Sequence, residues 1–215
     1  MRITAITLAL LLAFASVPCV WARDFTELFA SVSPVQLVAV DDEGKATLNN
    51  ICTATSINSD KHFWLSAAHC FELDSFGPRY IGGDVVKLIK IDPLNDIAIV
   101  QTERAFAPAM RMAKVAPELG DSLMVVGHPF GINLAILTFG SLAHPGTNLG
   151  DPQGKDYMLY TVVAAPGNSG SAVLNLKGEV ISVLQIGFGR TFAPMVGGST
   201  FEQLRSVTLG YWQME

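Results

Sequence analysis

Charged side chains are scarce in this chain of 215 residues, at 15% against about 25% in an average soluble domain. So low a share excludes a disordered polyelectrolyte. The 14 Lys and Arg are scattered singly and outnumbered by 19 Asp and Glu, for a net charge of −5. The basic stripe that a phosphate backbone requires is therefore missing, and nucleic acid is excluded as a partner. Cysteine is scarce as well, with three in all, and the four histidines stand far apart without a CxxC pair among them. No metal and no cofactor is expected from that spacing. Long apolar runs are limited to Ile3 to Val17, shorter than the ~20 residues of a membrane span. There is no internal repeat and no low-complexity tract.

What remains is apolar to 50%, enough for a sizeable core. Met1-Arg2, the apolar run and the small residues around Val20-Trp21-Ala22 read as an export signal over residues 1–22. An N-terminal membrane anchor is the alternative. With the signal removed, we expect a periplasmic or extracellular protein with no membrane attachment. Cys52 and Cys70 are then the remaining cysteines, and an even pair in an oxidising compartment points to a disulfide, two buried thiols being the other possibility.

From Val35 onward, short runs rich in Val, Ile, Leu and Phe alternate with Gly, Pro, Asn and Asp clusters. They predict strands at Val35 to Val40, Ile51 to Ile57, Phe63 to Leu65, Val85 to Ile91, Ile97 to Gln101, Leu123 to Gly127, Leu134 to Leu142, Met158 to Val163, Ala172 to Leu174, Val180 to Ile186 and Thr191 to Val196. Such a series suggests an all-β barrel or sandwich. Helices are expected only from Asp24 to Ala30 and from Thr200 to Arg205, the second capped by Ser199. Pro108 and Pro117 bound a linker over residues 108–117, between an N-terminal half (23–107) and a C-terminal half (118–215).

Three segments place a polar residue where a core would prefer none. In Trp64-Leu65-Ser66-Ala67-Ala68-His69-Cys70, a histidine follows a strand and two alanines; alone it reads more readily as a satisfied core residue than as a catalyst. In Asp92-Pro93-Leu94-Asn95-Asp96-Ile97, a turn delivers Asp96 to the mouth of an apolar strand, where an ionised carboxylate needs a donor such as an imidazole N–H. In Pro166-Gly167-Asn168-Ser169-Gly170-Ser171, glycines free the backbone so that successive N–H groups can face one concavity beside the Ser169 hydroxyl. Serine is a weak nucleophile that needs a base, and the base needs an orienting carboxylate. His69, Asp96 and Ser169 fill all three roles, in an order that excludes the Ser, acid, His sequence of α/β-hydrolases.

With these motifs, from about Asn50 to Phe201, the chain resembles trypsin-like serine proteases, and among them the bacterial HtrA/Deg group and the glutamyl endopeptidases. Gly127-His128-Pro129-Phe130-Gly131 and Gly178-Glu179-Val180-Ile181 are similar to HtrA/Deg segments, and the Cys52–Cys70 pair to the histidine-loop disulfide of trypsin. The resemblance implies two Greek-key β-barrels with a short C-terminal helix and a protein or peptide substrate. It also implies an oxyanion hole formed by the N–H groups of Gly167 and Ser169. Ser171 departs from the glycine usual in trypsin and HtrA/Deg proteases but matches glutamyl endopeptidases, and no PDZ domain is expected after the catalytic unit. Counting from Ser169, Val163 stands where trypsin carries an aspartate, while Ala164 and Leu184 replace the polar residues with which glutamyl endopeptidases hold a carboxylate. A pocket lined by Val163, Ala164 and Leu184 implies cleavage after a small or medium apolar residue. The alternatives are a catalytically silent binding or holdase protein and an esterase using the same site.

Overall fold

The apolar runs become strands, and their order along the chain builds two sheets in succession. The computed structural model describes residues 25–40, 42–72, 77–104, 107–188 and 195–213. The expected signal over residues 1–22 lies outside them, as does most of the strand expected from Thr191. In the first half, β1 (Val32–Val40), β2 (Ala46–Asn58), β3 (Phe63–Ser66), β4 (Arg79–Ile81), β5 (Asp84–Val85), β6 (Lys87–Asp92) and β7 (Ile97–Gln101) form a seven-stranded sheet in the order β5-β4-β1-β2-β3-β7-β6. In the second, β8 (Ser122–Gly127), β9 (Ile136–Asn148), β10 (Asp156–Tyr160), β11 (Ala172–Asn175), β12 (Val180–Phe188) and β13 (Met195–Gly198) close into a barrel in the order β10-β13-β12-β11-β8-β9. The short helix α1 (Thr26–Ala30) precedes the first sheet and α2 (Phe201–Thr208) follows the barrel. The expected all-β fold with a C-terminal helix is thus the one observed; the first sheet is the open member of the pair.

β7 shows why a continuous apolar run becomes a strand here. It lies between β3 and β6, and Ile97, Ala98, Ile99 and Val100 are all fully buried. A buried Ile or Leu of this kind stabilises the fold by about 2 kcal/mol. One core cluster joins Ala54, Leu65 and Ile99 of the first sheet to Met124, Val126 and Val183 of the barrel, so the halves share apolar packing. A second, with Leu123, Met158, Tyr160 and Val196, fills the barrel. The segment around residues 108–117 is tied to both halves: Met110 N–H donates to Ser56 O at 2.8 Å and Ala113 N–H to Val180 O at 2.9 Å.

The cap of α2 differs from the sequence expectation. Thr200, not Ser199, is the N-cap: Thr200 Oγ1 accepts from Gln203 N–H at 3.2 Å while Gln203 Oε1 accepts from Thr200 N–H at 2.8 Å. This reciprocal capping box satisfies two donors at the helix start. Ser199 Oγ is already engaged, accepting from Val183 N–H at 3.1 Å.

Candidate active site

β3 ends at Ser66, and the chain then enters a single 3-10 turn, Ala68–Cys70, that carries His69. Ala67 and Ala68 are fully buried while the His69 side chain faces out. Asp96 stands one residue before β7 in a left-handed conformation, φ 52°, that Asp tolerates better than most residues. Asp92 shapes that turn: its Oδ1 accepts from Asn95 N–H at 3.0 Å and its Oδ2 from Asn95 Nδ2 at 2.8 Å.

The turn brings Asp96 to His69. Asp96 Oδ2 lies 2.9 Å and Oδ1 3.1 Å from His69 Nδ1, and Oδ1 also accepts from the His69 main-chain N–H at 2.9 Å. A carboxylate can only accept, so Nδ1 carries a proton, and in the neutral imidazole Nε2 is then the nitrogen with the lone pair. Gln185 of β12 holds the other side of the turn, its Nε2 donating to Asn95 O at 2.7 Å and Asp96 O at 2.9 Å. Nothing in the sequence pointed to Gln185, because its partners lie about 90 positions away and its neighbours are apolar.

Ser169 lies in the turn between β10 and β11, and Thr53 of β2 fixes that turn. Thr53 N–H donates to Ser169 O at 2.8 Å, and Thr53 Oγ1 donates to Gly167 O at 2.9 Å while accepting from His128 N–H at 3.0 Å. The preceding residue, Cys52, is disulfide-bonded to Cys70, next to His69. The Ser169 turn and the His69 turn are therefore anchored to adjacent residues of one strand. Gly170 lies where the two turns meet: a Cβ there would overlap Ser66 Oγ and Thr53 O and approach Ala67 N to 2.9 Å. Among the described residues, Ser169 Oγ makes no hydrogen bond with His69.

Gly167 adopts φ 98°, open to glycine alone at no cost, and a Cβ on it would overlap His128 O. Phe130 N–H donates to Pro166 O at 2.6 Å, which fixes the orientation of the Pro166–Gly167 peptide. Among the described residues, neither Gly167 N–H nor Ser169 N–H has a protein acceptor. Gly127 gives Ser171 its room, since a Cβ on Gly127 would overlap Ser171 Oγ and lie 2.8 Å from Asn168 Oδ1. His128 is buried beneath this turn, and burial holds its imidazole below the ordinary pKa. Of the three residues named for a substrate pocket, Ala164 and Leu184 are buried with the barrel core and Val163 is half exposed.

Among the described residues, the His, Cys and acidic atoms that come within 4.8 Å of one another as a group of three are those of Cys52, His69 and Cys70. The disulfide engages both sulfurs, so neither offers a thiolate.

A family model described as a trypsin-like peptidase domain matches residues 52–183. A probable periplasmic serine endoprotease, DegP-like, of Ectopseudomonas mendocina is 34% identical over 98 residues, 45% of this chain and 20% of that protein. Its namesake in Chlamydia trachomatis is 30% identical over 99 residues, again 45% of this chain and 20% of the relative. The chain matches about a fifth of the length of these curated relatives. Among solved structures, the HtrA-type protease AlgW with a decapeptide superposes with TM-score 0.72 at 18% identity, covering 86% of this chain and 65% of that one. The inactive form of the Rv3671c protease gives 0.66 at 18% identity, covering 86% and 90%.

Proposed function

Since the chain belongs to the trypsin-like peptidase domain family, we propose that it is an exported serine endopeptidase with Ser169 as nucleophile, His69 as base and Asp96 as orienting carboxylate. The observation that carries this reading is the contact between Asp96 and His69 Nδ1, beside a glycine-flanked serine turn. Ser169 Oγ attacks the carbonyl carbon of a peptide bond as His69 Nε2 takes its proton; the imidazolium, held by Asp96, then protonates the leaving amine, and water resolves the acyl-enzyme. Gly167 N–H and Ser169 N–H are free to receive the oxyanion, at about 3 kcal/mol for one such donor. Val163, Ala164 and Leu184 line the pocket for the residue before the cut, and favour a small or medium apolar side chain because a buried charge would find no partner. The disulfide and the periplasmic relatives support an exported location.

One observation favours a silent binding protein instead: the missing hydrogen bond between Ser169 and His69. Such bonds are often long in unliganded proteases and tighten on substrate. A fluorophosphonate probe decides the matter. Labelling at Ser169 that vanishes in Ser169→Ala, together with cleavage of a proteome-derived peptide library, is expected. An unlabelled, folded protein that still binds peptides would establish the silent reading.

A further inference from the structure

A buried lysine beside the candidate site takes no part in the mechanism above. Lys155 precedes β10 with only 7% of its surface exposed, and its ammonium sits 4.8 Å from the centre of the Tyr157 ring. Among the described residues it has neither a side-chain hydrogen bond nor an ion pair. The stem is buried while Nζ, facing the Tyr157 ring, keeps access to solvent, so its donors are open to an incoming acceptor. Burial is also the main influence on its pKa, drawing it below the ordinary lysine value against the pull of Asp96, Asp151, Asp92 and Glu72.

Lys155 lines a pocket of about 280 Å³ together with His69, Asp96, Leu94, Asp151 and Tyr157. The wall that carries it is fixed. Asn148 Nδ2 donates to Lys155 O at 3.2 Å, and Asp151 accepts from Gln153 N–H at 2.8 Å and from Tyr157 OH at 3.0 Å. Asp151 is thus engaged elsewhere, and the ammonium's donors are left to whatever enters beside His69. A carboxylate is a poor occupant, because Glu72, Asp96 and Asp151 already line the pocket against one lysine. An amide carbonyl offers the acceptor without the charge.

We propose that Lys155 is a specificity-determining residue that donates a hydrogen bond to an amide carbonyl oxygen of the peptide substrate, beside His69. The proposal rests on the peptidase reading. Amide carbonyls come from the peptide main chain and from Gln or Asn side chains, and the experiment separates them.

The test compares the full chain with Lys155→Met, which keeps the stem but loses the donors, with Lys155→Leu as a second neutral variant, and with Lys155→Arg, which keeps charge and donors. Thermal melts establish that each variant is folded. Quenched-fluorescent peptides varied at each of the residues before the cut give kcat and KM. A charge-assisted hydrogen bond predicts that kcat/KM falls about 10- to 100-fold in the neutral variants, carried by KM, and recovers at least in part in Lys155→Arg. Loss across all peptides identifies a main-chain carbonyl; loss confined to peptides with Gln or Asn at one position identifies a side chain. Unchanged kcat/KM, or loss confined to Asp and Glu peptides, overturns the proposal. An equal fall in fluorophosphonate labelling also overturns it, because that small probe does not reach the subsite. Wild-type labelling at Ser169 verifies the underlying reading separately, so unchanged cleavage by Lys155→Met counts against Lys155 alone.

Discussion

The Thr53 hydroxyl donates to the Gly167 carbonyl at 2.9 Å, binding a strand of the first sheet to the serine turn of the barrel. The same oxygen accepts from His128 N–H at 3.0 Å. Thr53→Val keeps the shape and strands both buried groups, at about 1–3 kcal/mol each. We expect a lower melting temperature and a loss in kcat of at least tenfold, with Thr53→Ser restoring most of both. A valine variant with full kcat would show that the turn holds its shape without this bond.

Gln185 acts on Asp96 from the opposite side. Gln185→Leu removes the donor to Asn95 O and Asp96 O, and the turn then loses its tie to the barrel. Because the contact is made to main-chain oxygens of the Asp96 turn, kcat should fall about tenfold, the equivalent of ~1.4 kcal/mol, with KM little changed. Steady-state kinetics on one peptide checks the split; a rise in KM alone would mean that Gln185 serves binding.

Gly170 is the tightest point between the serine and histidine turns. With φ 84° and no room for a Cβ, Gly170→Ala must push the turns apart. The expected result is loss of probe labelling and destabilisation of about 2 kcal/mol or more. Circular dichroism melts and labelling rates test both together.

Burial holds the His128 imidazole below its ordinary value of 6.5, so the unfolded chain takes up a proton at higher pH than the folded chain. The resulting contribution to stability is fully present above that ordinary value and is lost as pH falls through the folded one. Wild-type melting temperature should therefore drop more steeply between pH 8 and about 5 than that of His128→Gln. Parallel curves for the two proteins would assign the acid sensitivity elsewhere.

Strands whose apolar runs are long and bounded by turn residues were legible: Ile97 to Gln101 is found at its expected limits, and Leu123 to Gly127 and Ala172 to Leu174 each gain one residue. The polar, exposed start of β2 at Ala46 and the short β4 and β5 were not, because they carry no apolar run to mark them. Val163 falls outside β10, which stops at Tyr160 before the chain turns toward the serine. For the site, three motifs gave away His69, Asp96 and Ser169 as residues of interest. Thr53, Gln185 and Lys155 carry no motif. Each is a lone polar residue in apolar or mixed sequence, and what it contacts is set by the tertiary fold.

His69 and Asp96 belong to the first half of the chain, Ser169 and Gln185 to the second, and the bonds that cross the seam run from Gln185 Nε2 to Asp96 O and from Thr53 N–H to Ser169 O. On the proposed reading, neither half contains a whole reaction centre. Catalysis, on the proposed reading, then behaves as a gauge of how tightly the halves are seated. In mild urea, a seam that slackens by a fraction of an ångström would silence turnover while both sheets keep their circular dichroism. Fragments of the two halves would be inert apart and would regain activity only on recombining.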